Sequence, residues 1–183
     1  MPEMKFSERM VTLVNPCPSL TMADLCVMDD KYPKLAPNIH DDNRQVFSIE
    51  FPWSSGSESD ILTMKPGEER SVPEALGRQI IRDVGERGLV MIVPPGSDKD
   101  PKTHRLTQMI QGLRPALNFY SSNGILRLQK LRRSHAWTEE EIVQLEHQHR
   151  AYYLNQRKHD LIEALVAKMT KDLASSQAKK SAA

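Results

Sequence analysis

Aromatic side chains are scarce in this chain: two Trp, four Tyr and four Phe make up 5% of its 183 residues. With apolar residues at only 39%, the expected core is modest, and some apolar surface is left over for partners. Cysteine is scarcer still. Cys17 and Cys26 are too few for a disulfide framework, and two buried or idle thiols are expected. Neither sign of charge is in excess, since 25 Lys and Arg face 24 Asp and Glu. That balance excludes an extreme polyanion binder and a disordered acidic chain. No apolar run approaches the roughly 18 residues of a membrane span, so no membrane partner is expected. The opening Met1–Arg9 has no signal-peptide core, which points to folding in a reducing cytoplasm.

Catalytic signatures are missing too. There is no G-x-S-x-G and no G-x-G-x-x-G, and Pro95-Gly96-Ser97 is not followed by the Lys-Ser/Thr of a phosphate loop. His147, His149 and His159 are spaced by two and ten, which does not bring two rings onto one helical face. Asp41-Asp42-Asn43 beside His40 lacks the length and the Gly of a calcium loop. Trp137-Thr138-Glu139-Glu140-Glu141 matches the opening of Myb-like DNA-binding repeats, but the later tryptophans of such repeats are absent and helix capping explains it. No catalytic, cofactor or metal site is expected.

What is present is a well-punctuated unit over residues 46–95. Phe47, Ile49 and Phe51 alternate with polar neighbours, the period of a strand with one buried face, and Pro52 ends that strand or puts it on an edge. After the Ser54–Ser57 loop comes Ile61–Lys65, then Pro66-Gly67, where proline presets the first turn position and glycine accepts positive φ. Ser71-Val72-Pro73-Glu74 has the form of a capping box. Leu76, Ile80 and Val84 then recur on one helical face, with Gly88 placed to end the helix. Gly77 and Gly85 inside it each cost about 1 kcal/mol against Ala. The apolar run Leu89–Val93, stopped by Pro94-Pro95, reads as a buried strand. Hairpin, helix, strand is the expected core of an α+β fold.

The run Phe51-Pro52-Trp53, a gap, then Ile61 to Gly77 resembles a pattern in uncharacterised virion-associated proteins of tailed bacteriophages. In those proteins an aromatic strand, a Pro- or Gly-bearing turn followed by Glu, and a proline-started helix occur together. The resemblance covers residues 47–93. This chain departs from the pattern by carrying Leu76, Gln79 and Ile80 where the pattern has an aromatic and a His. The resemblance implies a protein that holds a particle together, with no chemistry of its own.

Charge is unevenly distributed along the chain. Residues 23–60 hold eight acids against three bases, whereas residues 101–138 hold no acid and seven bases: Lys102, Arg105, Arg114, Arg127, Lys130, Arg132 and Arg133. Such a split suits subunit-to-subunit contact. The alternatives for the basic stretch are a solvated or internally paired surface and, less favoured than protein contact, nucleic acid with Phe119, Tyr120 and Trp137 for stacking.

Outside the central unit, residues 1–45 read as an extended N-terminal arm punctuated by Pro16, Pro18, Pro33 and Pro37, with one helix start at Thr21–Asp24. Asp100-Pro101 opens a helix bearing Leu106, Met109, Ile110 and Leu113 on one face, which Pro115 is expected to end. Asn118–Gly124 reads as a turn, and 125–131 fits a strand or a helix, with the alternation of Leu126 and Leu128 with Arg127 and Gln129 favouring the strand. Thr138–Glu141 caps a last helix, with Trp137 and Ile142 as a hydrophobic staple, running to about Leu173. The polar run Asn155–Asp160 interrupts its apolar face, so it is expected to break there or to reach another subunit. Residues 175–183 read as a mobile tail.

The domain reading is therefore an arm (1–45), an α+β core with a basic second half (46–136), a long C-terminal helix (137–174) and the tail. The function expected is a virion structural protein, capsid-stabilising or minor capsid component, assembled in the host cytoplasm. Its partners would be other virion proteins, above all the major capsid protein and copies of itself. The candidate interaction residues are the seven bases of 101–138 with Trp137, Tyr152 and Tyr153. A neck or tail connector, a nucleic-acid-binding module using 102–133, and a host-directed regulator are the alternatives.

Overall fold

The structure is a computed structural model that describes residues 9–28, 35, 43–55, 58–122 and 138–181; for 53–55, 58–59, 122, 139, 141–149 and 180–181 it describes the backbone alone. The fold is α+β. In chain order the described elements are β1 (Met10–Val14), α1 (Met22–Val27), β2 (Ile49–Ser55), β3 (Glu58–Met64), β4 (Glu69–Pro73), α2 (Glu74–Val84), a 3-10 turn (Gly85–Arg87), β5 (Val90–Ile92), α3 (Pro101–Ser122) and α4 (Glu139–Ser181).

Two sheets organise the body. A three-stranded antiparallel sheet has the order β4-β1-β5, and β2 and β3 form a separate hairpin. Because side chains alternate along a strand, the three-stranded sheet is covered on both faces. Val11 and Leu13 of β1 with Val72 of β4 face α2 and the hairpin, packing with Ile80, Val84, Ile49, Phe51 and Met64. Val14 of β1 with Val90 and Ile92 of β5 face the helices α3 and α4, packing with Ile110, Leu113, Ala116, Ile162 and Met169. A side chain as deeply buried as Leu13 contributes roughly 1.5–3 kcal/mol relative to exposure.

The expected hairpin, helix and strand are all present, with some corrections. Ile49 and Phe51 are buried on one face as the alternation implied, but the strand starts only at Ile49 and runs on through Pro52 to Ser55, and Phe47 is buried before it, in the cluster with α3 and α4. In a two-stranded sheet β2 is an edge, where a missing N–H costs no ladder bond. Pro66-Gly67 makes the expected turn, with Gly67 at φ 86° and Glu68 N donating to the Lys65 carbonyl at 3.0 Å. The strands flanking it lie in different sheets, so the turn carries the chain from one to the other. Ser71 does not cap α2: it lies within β4, and the residue before α2, Pro73, makes no side-chain cap. Glu74 instead accepts from Arg9 and Arg78. Gly88, at φ 113°, terminates the 3-10 turn after α2.

The larger correction concerns the N-terminal segment. Residues 10–14 are no arm; they form the middle strand of the sheet, paired with β4 on one side and β5 on the other. The helix start at Thr21 is real, with Thr21 and Asp24 in a reciprocal capping box. Pro115 does not end α3, which continues to Ser122. It is exposed, so the carbonyl it leaves unpaired faces water, while Leu113, Ala116 and Tyr120 anchor both flanking turns in the core. The expected turn at 118–122 is therefore helical, while the element expected at 123–131 and the Trp137–Ile142 staple lie outside the described residues or side chains. α4 begins directly after Thr138, passes unbroken through Asn155–Asp160 and includes 175–181, which had read as tail.

Candidate interaction surfaces

α4 meets the body along its second half. Ile162 and Met169 are buried against α3, with Leu161, Leu165, Val166 and Leu173 packed beside them. The polar run that seemed to interrupt this face is what joins it to the N-terminal third. Arg157 is only 3% exposed and donates from Nε to the Met28 carbonyl at 3.3 Å. Two helical turns earlier, Arg150 Nη2 lies 3.4 Å from Cys26 Sγ. Lys158 places its ammonium 5.6 Å from the centre of the Tyr120 ring, a cation–π contact. Burial, then the nearby charge of Arg44, lowers the Lys158 pKa. These polar residues run along the helix at the spacing of a contact face, and three long cationic side chains bury their stems there.

Among the described residues, the expected interaction bases do not converge. Lys102 and Arg114 are exposed on α3, and Arg105 is ion-paired with Glu69 of β4. Arg105 and Arg114 are nine residues apart, which at 100° per residue puts them on opposite sides of the helix. The described part of the basic stretch is thus dispersed around α3. Tyr152 and Tyr153 are half-buried with their rings edge to face, centroids 5.3 Å apart. Arg127, Lys130, Arg132, Arg133 and Trp137 lie outside the described residues.

Other chemistry-bearing groups have structural partners. Cys17 and Cys26 are buried free thiols, and burial pushes the Cys17 pKa up to about 12, which leaves it protonated and unreactive. Tyr120 donates its hydroxyl to the Arg87 carbonyl at 3.0 Å, and burial raises its pKa. His104 Nε2 lies 2.6 Å from the Val93 carbonyl, while Gln108 accepts from Val93 N at 3.2 Å. The first turns of α3 thereby satisfy the backbone just beyond β5. His159 Nδ1 is 3.1 Å from Asp160 Oδ1 and 3.9 Å from Glu163 Oε2. All three belong to one stretch of α4, and the His–Asp contact accounts for the arrangement without an ion.

Two concave features were not visible in the sequence. A groove of about 450 Å3 runs between α2 and α3 over β5, floored by Leu89, Val90 and Met91 and walled by Ile81, Gly112 and Pro115. A polar cleft of about 480 Å3 lies at the open end of the hairpin. Compared with protein-family models, curated proteins and solved structures, the chain matches none of them.

Proposed function

We propose that this protein is a structural component of a tailed-phage particle, a capsid-stabilising or minor capsid protein that acts by protein–protein contact. The observation that carries this reading is the length of α4. Its 43 residues span about 64 Å at 1.5 Å per residue, whereas the 22 residues of α3, its principal packing partner, span about 33 Å. A helix about twice as long as the element it lies on cannot be covered by it from end to end. The excess length suits attachment to a neighbouring subunit, whether the major capsid protein or another copy of this chain. The stretch resembling phage virion proteins, residues 47–93, folds as hairpin, helix and strand on a closed core, which suits a rigid body carrying an attachment helix.

Quantitative mass spectrometry of purified particles of the encoding phage tests the reading. A copy number on the order of hundreds supports a shell component, and about six or twelve supports a connector at a symmetry axis. Absence from washed particles overturns the proposal.

A further inference from the structure

The polar cleft at the open end of the hairpin is lined by Arg44, Gln45, Ser48, Glu50, Thr63 and Arg87. Two arginines from distant segments line it, each on a fixed backbone. The Arg44 carbonyl accepts from Met22 N at 2.9 Å, and the next residue, Gln45, forms a β-bridge with Thr21. The Arg87 carbonyl accepts the Tyr120 hydroxyl, and Gly88 closes the turn that carries Arg87. Both arginines are exposed, and among the described residues neither forms an ion pair. Glu50 lines the same cleft and is ion-paired to neither.

The local field is positive although the chain as a whole carries only +1. The lining of the cleft carries two cations, Arg44 and Arg87, against one carboxylate, Glu50, and the charge of Arg44 is felt as far as Lys158. The like charges of the two arginines are offset by a bound anion. Guanidinium forks match the oxygens of a phosphate with paired N–H donors. The Ser48 and Thr63 hydroxyls and the Gln45 amide add neutral partners, and the Glu50 carboxylate can only accept, which selects a ligand with a donor of its own. The volume lies within the range of roughly 300–1,000 Å3 usual for small-molecule sites.

We propose that this cleft binds a small hydroxylated phosphate ester, with Arg44 and Arg87 holding the phosphate and Glu50 accepting a hydrogen bond from a ligand hydroxyl. The proposal does not depend on the assembly role.

Calorimetric titration of the full chain with inorganic phosphate, ribose 5-phosphate and a short single-stranded oligonucleotide tests it. Ribose 5-phosphate is expected to bind more tightly than inorganic phosphate. Arg44→Gln and Arg87→Gln are each expected to weaken it by about tenfold, the scale of one lost charge-assisted contact. Glu50→Gln is expected to reduce the preference for the sugar phosphate while leaving inorganic phosphate bound. Arg78→Gln, which alters an arginine paired with Glu74 instead, serves as the control and leaves binding unchanged. Arg87→Lys keeps the charge, loses the fork, and gives an intermediate loss. Far-UV circular dichroism of each variant checks the fold. No binding of either small phosphate at millimolar concentration overturns the proposal, as does binding indifferent to both arginine substitutions. An oligonucleotide that binds more tightly than ribose 5-phosphate through the same arginines also overturns it, because the source of the phosphate is then a nucleic-acid strand.

Discussion

The side-chain amide of Asn15 donates to the Phe47 carbonyl at 2.8 Å, joining the end of the central strand to the start of the hairpin. The same nitrogen donates to the Met64 carbonyl at 3.0 Å, and Oδ1 accepts from Cys17 N at 3.3 Å. Its backbone is engaged too, through Glu68 and Gly67. Asn15 is fully buried, so each of these partners depends on it in place of water. Asn15→Ala strands two carbonyls and one amide at about 1–3 kcal/mol for each group left unsatisfied. The expected loss is about 3 kcal/mol or more in urea-unfolding free energy. Asn15→Asp, which cannot donate once ionised, is expected to destabilise increasingly as pH rises from 4 to 7. A loss under about 1 kcal/mol for Asn15→Ala would show that this junction is not structural.

Glu74 sits between two guanidinium groups, Arg9 Nη2 at 2.8 Å and Arg78 Nη2 at 2.7 Å. Hydrogen bonds from Arg9 and then Arg78 hold its carboxyl down to about 2, against an ordinary value of 4.5. A carboxylate whose folded pKa is depressed stabilises the fold above its unfolded pKa, and that contribution is lost as pH falls toward the folded value. Wild type is therefore expected to unfold at higher urea than Glu74→Gln at pH 7, with the two midpoints converging between pH 4.5 and 2. The difference should also shrink with added salt, because the site is open to solvent. A gap between the midpoints that is constant with pH would mean that Glu74 acts by packing and not by charge.

Gly77 is buried in the first turns of α2, where helix propensity alone makes glycine a cost. A Cβ there would lie 2.7 Å from Val11 Cγ2, 3.1 Å from Met91 Sδ and 3.3 Å from Val72 Cγ2. The missing side chain is what lets the helix rest on all three strands of the sheet. Gly77→Ala is thus expected to destabilise by roughly 1–3 kcal/mol, the usual result of overpacking, and not to gain the propensity increment. Gly77→Ala with Val11→Ala should recover part of the loss in a double-mutant cycle, since the closest contact is then removed.

The parts of this fold that were legible in the sequence are those whose signals are local. Ile49 and Phe51 announced β2 by alternation, Pro66-Gly67 announced its turn, and Thr21 with Asp24 announced α1. β1 was missed because the nearby prolines drew the reading toward an arm, although Val11-Thr12-Leu13-Val14 is itself a β-branched, apolar run of strand length. Ser71 and Glu74 matched a capping pattern that strand pairing with β1 overrode. The polar run at 155–160 could not be recognised as a contact face, because its partners Met28 and Tyr120 are set by tertiary structure. Arg44 and Arg87 carry no motif, and only the packing of the 3-10 turn beside the hairpin brings them to one cleft. Of the interaction residues named from sequence, the described bases on α3 scatter because a run of like charge says nothing about which side of a helix each member takes.

The position of β1 changes what truncation should do. An arm can be deleted without harm to the body, but removing residues 1–40 deletes the strand that bridges β4 and β5 and takes with it Val11, Leu13 and Val14. Both clusters then lose members, at roughly 1.5–3 kcal/mol for each large side chain, and the sheet is left as two strands with nothing between them. With the ladder and the Asn15 junction included, the loss is comparable to the whole of the usual margin of about 5–15 kcal/mol. Deletion of 1–40 is therefore expected to yield a chain without cooperative unfolding by circular dichroism. Deletion of 1–8 keeps β1 and the Arg9–Glu74 pair and is expected to unfold cooperatively. At the other end, removal of 175–183 spares Leu173 and every core member of α4 and is expected to leave the urea-unfolding free energy within about 0.5 kcal/mol of wild type, as for surface changes generally. Removal of 161–183 takes away Ile162 and Met169 and is expected to expose the face of α3, seen as dye binding and loss of the cooperative transition. Cooperative folding of the 1–40 deletion would mean that the sheet closes without its middle strand, which the pairing of β1 on both sides does not allow.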